Sequence, residues 1–588
     1  MSTHLSMSDK GSEAFGERLR RLVPIHGDKT LIIVLVGLVL AVLVIPPLWF
    51  LVEGSVVLTD ETGRFAGVSL RRFVDLVEQR GFAQSTINSF SFAIGSALLA
   101  LLIGGIVAWL VERTNTPLKA LAYLTTIISL GTPYVLYVSA WLLLLNRSGP
   151  INSLYREITQ SSGVLIDVYG LPGMILVEGL LWSPLVFLLL GATLRNFNPE
   201  LEEAARMSGA GTWSTIRRIT LRLSMPSILA LALLVFIRAL EAFEVPALVG
   251  LPGRVHVLTT DIYDTMLLTM PPDLGSASAL SVLLLALVSI LLYFYTRLTK
   301  NAERFATITG KNFRPNQLDL GKWRYVGGAV LILNLILLLV LPATILIWAS
   351  LLPFYQSFRV AALPLLTLDN YRHVFGSSRY IMLLGNTFII AVVSATVVML
   401  TASLTAWLSV RKVKGAAALD QLSTMPLVFP GIVLGVGVMQ LFLYVPVGIY
   451  GTIWIIVWAF AINYLPYGVR YSYAGMLQVH RELEEAAAVA GAEPLTGFRR
   501  VVIPLLAPSV LAGWLFVFLL STRVLALPVL LSGPSSQTMA VAMFDLWGNG
   551  QGPELAALGL LWSLAMTVIA IVFYLVSRRS GAGVYGRN

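Results

Sequence analysis

The chain has 588 residues, of which 57% are hydrophobic and 12% charged, with a net charge of +10 and no cysteine. A soluble chain of this length cannot bury so much apolar surface, so the class is a polytopic membrane protein. The missing cysteines exclude disulfides, Cys-ligated zinc, iron–sulfur clusters and thiol catalysis, and the positive charge follows the rule that orients membrane helices rather than a nucleic-acid footprint.

In chain order, residues 1–30 are polar and carry Arg18, Arg20, Arg21 and Lys29. They read as a cytoplasmic tail before the first span. That span is too long for a signal-peptide core and lacks a small-residue cleavage site. Six apolar runs are expected at about 31–52, 86–110, 119–145, 171–194, 226–248 and 277–297. A basic linker, 298–325, leads to six more at about 326–351, 383–409, 418–443, 451–474, 508–530 and 556–577, and 578–588 form a tail. Each run is near the ~20 residues needed to cross a hydrocarbon core. The expected fold is all-α, with about 12 transmembrane helices in two pseudo-symmetric six-helix halves, 31–297 and 326–577. An even number of spans per half gives both halves one orientation, related by a pseudo-two-fold axis along the membrane normal. Lys and Arg are concentrated in the segments that place both termini in the cytoplasm. Pro46-Pro47, Pro184, Pro342 and Pro430 are expected to kink spans.

The linker contains Gly310-Lys311, but Phe305 stands where a phosphate loop needs its first glycine and Asn312 follows the lysine. With no Walker A motif elsewhere, ATP-driven work requires a separate ATPase. The longest external segments, 53–85 and 352–382, each carry a helix-like stretch (Leu70 to Gln79, Leu368 to Phe375). Neither is large enough to capture a substrate alone, so a separate binding protein is expected.

One polar block occurs twice. Glu200 to Ser227 and Glu482 to Ser509 superimpose without a gap at an offset of 282. Glu203 falls on Glu485, Gly209 on Gly491, Arg217 and Arg218 on Arg499 and Arg500, and Pro226 on Pro508. Repetition at a fixed spacing marks a duplication. Good helix formers with acidic residues in the first turn, then a glycine, then a second short helix, predict helix, tight turn, helix. Ala204, Ala205 and Ala210 leave room for a partner's close approach.

The block resembles the EAA loop of ABC importer permease subunits. The second copy carries Glu485-Ala486-Ala487, Gly491, Ile503-Pro504 and Pro508; the first carries Glu203-Ala204-Ala205, Gly209, Leu221 and Pro226, with Arg222 in place of Pro504. The loops are placed at 198–224 and 480–506. The whole chain resembles a fused two-half permease of the type I ABC importer fold, most like the ferric iron family. That likeness is carried by Phe243-Glu244-Val245-Pro246-Ala247-Leu248, by Val257 to Tyr263, and by Asp545-Leu546-Trp547, Gly550 and Glu554-Leu555-Ala556-Ala557. Permeases for thiamine and 2-aminoethylphosphonate share the plan. The resemblance implies a transport subunit rather than an enzyme, in a bacterial inner membrane. It implies two copies of a cytoplasmic ATPase carrying ATP and Mg, an external substrate-binding protein, membrane lipid as surroundings, no nucleic acid and no cofactor in this chain. It assigns ATPase coupling to Glu203, Ala204, Ala205 and Gly209 and to Glu485, Ala486, Ala487 and Gly491. A twelve-span transporter driven by protons or sodium is the alternative of another class.

The fifth run of the first half contains Arg238, Glu241 and Glu244, and the 282 offset places Glu241 on Arg523. A charge at membrane depth costs ~2.5–3.5 kcal/mol on insertion scales, so each needs a partner or water. Arg238–Glu241 along one helix and Glu241–Arg523 between halves both remain open, and all four residues are candidates for the translocation path or its gate. The histidines at 4, 26, 256, 373 and 480 show no metal-ligand spacing, so no metal site is expected.

Overall fold

A computed structural model describes residues 27–59, 65–195, 204–205, 207–209, 211–303 and 317–579. Most of the N-terminal tail, Glu203 with much of the first repeated loop, the middle of the linker and most of the C-terminal tail lie outside the described residues. Among the described residues, ten helices are long and apolar enough to cross a membrane, or up to 12 if each of two bent pairs is one span. In half one they are Lys29–Val56, Gly81–Arg113, Leu171–Arg195, Arg217–Leu240 and Leu274–Thr299; in half two, Gly321–Ser350, Ser378–Val410, Ile453–Met476, Pro494–Ser521 and Gly552–Ile569.

The third span of each half departs from expectation. The runs 119–145 and 418–443 are not continuous spans: Lys119–Gly131 meets Tyr134–Thr159 at 108°, and Ala416–Val428 meets Gly431–Tyr444 at 111°. Proline causes both bends. It forces the preceding residue out of the helical region, and Thr132 and Phe429, which precede Pro133 and Pro430, are extended. The other prolines are tolerated. Pro46, Pro47 and Pro184 sit inside continuous helices, and Pro342 follows a π-helical turn at Ile336–Val340 that absorbs its missing donor.

The fifth spans are also displaced from 226–248 and 508–530. They extend further into the repeated loops and stop at Leu240 and Ser521. The chain then breaks and forms short helices, Pro246–Gly250 and Leu258–Tyr263 in half one, Pro528–Leu531 and Met539–Gly548 in half two. Hydropathy counts these buried apolar pieces as part of a span; Pro246 and Pro528, each at the start of a new short helix, show that they are not.

The halves are interlocked. A Cβ on Gly437, in the bent third span of half two, would stand 2.6 Å from the Pro47 carbonyl of the first span of half one. Reciprocally, one on Gly328, in the first span of half two, would meet Pro117 at 3.0 Å, beside the third span of half one. Within each half the second and fourth spans pack closely, as shown by Gly104, whose Cβ would sit 2.5 Å from the Ser183 carbonyl. One continuous apolar core contains residues of both halves.

The end of the linker is tied to half one. Leu318 pairs with Thr114 as a parallel bridge, and Asn115 Nδ2 donates to Asp319 Oδ1 at 2.6 Å. The Gly321 amide and Asn115 hold the Asp319 carboxyl below its ordinary value. On the opposite face, Val57–Thr59 and Phe65–Val68 form a small antiparallel hairpin. Short helices occupy Arg71–Glu78 and Asp369–Gly376, where helix-like stretches were expected.

Candidate functional site

Each break after a fifth span is held by polar groups, and several of them cross between the halves. Arg238 Nη1 lies 2.9 Å from Glu241 Oε2, so the local ion pair forms. Arg238 Nη2 also donates to Tyr467 Oη at 3.1 Å, in the fourth span of half two. Arg523 goes elsewhere: its Nη1 donates to the Leu130 carbonyl, and its guanidinium lies 4.7 Å from the Tyr134 ring centre. The bend in the third span explains this choice. A helix that ends inside the membrane exposes its last carbonyls where no water can serve them, and a cation at that end is favoured by the helix dipole. Glu244 makes the reciprocal contact. Its Oε1 accepts from the Leu525 amide at 3.1 Å, inside the break of half two.

Between these breaks lies an aromatic cluster. Ring centres of Phe243 and Tyr263 are 5.2 Å apart, Tyr263 and Phe544 6.3 Å, and Phe243 and Phe544 6.5 Å. Tyr263 precedes Asp264 as Phe544 precedes Asp545, at an offset of 281. Residues that correspond under a two-fold and touch each other lie beside its axis. The cluster therefore fills the middle of the molecule between the halves. Sequence reasoning missed it. The signal was the repeated aromatic–aspartate pair downstream of Pro246 and Pro528.

The repeated loops share the other face. In the second copy a helix spans Arg481–Val489 with Glu482 and Glu484 in its first turn. Gly491 takes φ +86°, with its amide bonded to the Ala488 carbonyl and that of Ala492 to the Ala487 carbonyl. This is a Schellman stop, which favours glycine. Gly209 in the first copy has φ +81°, and both glycines face open space. Ala204 and Ala205 are helical, as are Glu485, Ala486 and Ala487. Beyond each glycine the chain runs through a π-helical turn, Ile216–Thr220 or Phe498–Val502, into the fifth span. The turn forms in both halves, although only the second has the proline, Pro504.

The anchor of the second loop is Glu484, whose side chain is 12% exposed, rather than Glu485 at 35%. Arg411 Nη2 lies 2.6 Å from Glu484 Oε1, and Trp407 Nε1 donates to its Oε2 at 2.8 Å. Trp407 also packs on Phe498, with ring centres 4.8 Å apart. Glu485 instead makes an exposed pair with Arg481 at 2.9 Å. Spacing alone cannot rank adjacent glutamates; the basic cluster at Arg411, Lys412 and Lys414 was the available hint. Lys29, Glu485, Ala487, Ala488, Gly491 and Ala492 are among the residues lining a cavity of about 330 Å³ beside this anchor.

Residues 100–304 match the family described as binding-protein-dependent transport system inner membrane component. The ferric transport system permease protein FbpB of Actinobacillus pleuropneumoniae is 28% identical over 412 residues, which cover 69% of this chain and 58% of that protein. The chain thus spans little more than half of that relative's length. The molybdenum transport system permease protein ModB of Haemophilus influenzae is 30% identical over 212 residues, covering 35% of this chain and 90% of that protein. A bacterial alginate ABC transporter, solved in complex with an alginate pentasaccharide-bound periplasmic protein, aligns with 40% of this chain and 83% of its own at 20% identity and a TM-score of 0.34.

Proposed function

The chain belongs to the family of binding-protein-dependent transport system inner membrane components, and on that premise we propose that it forms the translocation pathway of an ATP-driven importer of ferric iron. In this reading the repeated loops and both termini face the cytoplasm, and two ATPase subunits, carrying ATP and Mg, dock on the loops. The binding protein docks on the opposite face. The iron assignment rests on the ferric permease relative; the likeness to ModB supports a scaffold used for several small solutes.

The observation that carries the reading is mechanical continuity. Each loop glycine leads through a π-helical turn into a fifth span, and beyond each fifth span's end lie the segments that carry the central aromatic cluster, Phe243 and Tyr263 in half one and Phe544 in half two. A displacement of the loop is passed along a rigid helix to the closure. The Arg411–Glu484–Trp407 clamp ties the second docking helix to the second span of half two, so the loop moves with the bundle. Glu241 and Glu244 both have partners, which favours a structural role over proton coupling.

The test is ATP-driven uptake in proteoliposomes containing the chain, its ATPase and its binding protein. Gly491→Val is expected to leave insertion intact and to uncouple hydrolysis from uptake. Unchanged coupled uptake would remove the loop from the mechanism.

A further inference from the structure

On the face opposite the loops, half one has an open cleft of about 660 Å³ whose lining includes Ser85, Asn88, His256, Asp261 and Asp264. His256 Nδ1 lies 3.3 Å from Asp261 Oδ1 and 3.1 Å from Asp264 Oδ2. One donor atom from each of the three residues falls within 4.8 Å of the others. Asp264 Oδ1 is sealed from solvent and accepts no hydrogen bond. Leaving such an oxygen unpaired costs ~1–3 kcal/mol, and more if it is charged. Adjacent ligands at ~2.0–2.2 Å from a metal ion stand about 3 Å apart, close to the two His–Asp distances.

The duplication supplies a built-in control. The same backbone scaffold recurs in half two. Asn88 Nδ2 donates to the His256 carbonyl at 3.0 Å, and Asn386 Nδ2 to the Gln537 carbonyl at 3.2 Å. Ser89 Oγ accepts from the Leu258 amide and Thr387 Oγ1 from the Met539 amide, both at 2.9 Å. On this scaffold half two places Gln537, Ala542 and Asp545 where half one has His256, Asp261 and Asp264. Its aspartate is already satisfied: Gln537 Nε2 donates to Asp545 Oδ2 at 3.1 Å, and Arg379 Nη2 reaches Gln537 Oε1 at 3.4 Å. The fold therefore does not require an imidazole and two carboxylates at this position.

We propose that His256, Asp261 and Asp264 form a binding site for a first-row transition-metal cation, held by one imidazole nitrogen and two carboxylates. Nitrogen and oxygen donors without sulfur suit manganese or iron. The sequence hid the site because the ligands are spread over a loop and a short helix, and neither their spacing nor their residue types form a known motif. The site is a property of this chain alone and does not depend on the importer's cargo or on its ATPase.

The test uses the full chain, without ATPase, in nanodiscs of phosphatidylcholine. Mn²⁺ binding is followed by electron paramagnetic resonance, with nitrogen coupling from the imidazole as the signature. Wild type is expected to hold one tightly bound Mn²⁺ with that coupling. The double variant His256→Gln, Asp261→Ala carries what half two already accommodates. It is expected to lose the coupling and to weaken binding by more than the roughly 10–100-fold that removing an outer-shell partner costs. Asp545→Asn, the half-two control, is expected to bind as wild type. No tight Mn²⁺ in wild type, or equal binding in the double variant, overturns the proposal. Thermal unfolding without metal, unchanged in the double variant, shows that any loss is not misfolding.

Discussion

The two fifth-span breaks occupy equivalent places, yet they carry opposite chemistry. Half one offers Glu241 and Glu244; half two offers Arg523. Glu244 accepts from the Leu525 amide of half two, while Arg523 serves the Leu130 carbonyl of half one. Duplication preserved the backbone, and divergence made the two faces complementary. Two identical copies of either half would lack one of these contacts. Fusion into one chain keeps the unlike halves at equal stoichiometry.

The largest way to break this comparison is Arg238→Leu. It strands Glu241, whose side chain is 8% exposed, and removing one member of a buried pair costs ~3–5 kcal/mol. A marked fall in unfolding temperature is expected, and adding Glu241→Leu should recover most of it. Next comes Glu484→Ala, which leaves the Arg411 and Trp407 donors short of an acceptor and should cost about 1.5–3 kcal/mol, as for hydrogen bonds to charged groups. Glu485→Ala is the matched control, since an exposed pair is worth ~0–1 kcal/mol. Denaturant unfolding of the two variants side by side ranks the glutamates. Gly209→Ala and Gly491→Ala face open space, so only the left-handed backbone opposes them, at about 1–2 kcal/mol each. Equal costs would confirm that the two stops are equivalent. The smallest effect is expected from Glu244→Gln, which keeps an oxygen for the Leu525 amide; Glu244→Ala should cost ~1–3 kcal/mol more.

These contrasts mark where sequence reading succeeded and where it ran short. Apolar run length gave the positions of most spans, because crossing a hydrocarbon core is a one-dimensional requirement. It could not see direction. The third spans bend because Pro133 and Pro430 hold Thr132 and Phe429 extended, and a bent apolar helix has the same hydropathy as a straight one. For the same reason the pieces after Leu240 and Ser521 were merged into the fifth spans. The loop glycines were legible because a left-handed residue limits which side chains can occupy it. Glu484 was not, because its role depends on Arg411 and Trp407, more than seventy residues earlier in the chain. The aromatic cluster and the His256 group depend on contacts between distant segments, which no local pattern encodes.

The central claim is that loop movement opens the aromatic closure. The chain has no cysteine, so Tyr263→Cys and Phe544→Cys can be introduced without background. Their parent ring centres are 6.3 Å apart. Cross-linking between them by a bifunctional thiol reagent, measured in the assembled transporter with and without trapped ATP, reads the closure directly. The account predicts efficient cross-linking without nucleotide, loss of cross-linking with ATP trapped, and no nucleotide effect once Gly491→Val is added. Equal cross-linking with and without ATP, in a complex that still couples hydrolysis to uptake, would contradict it.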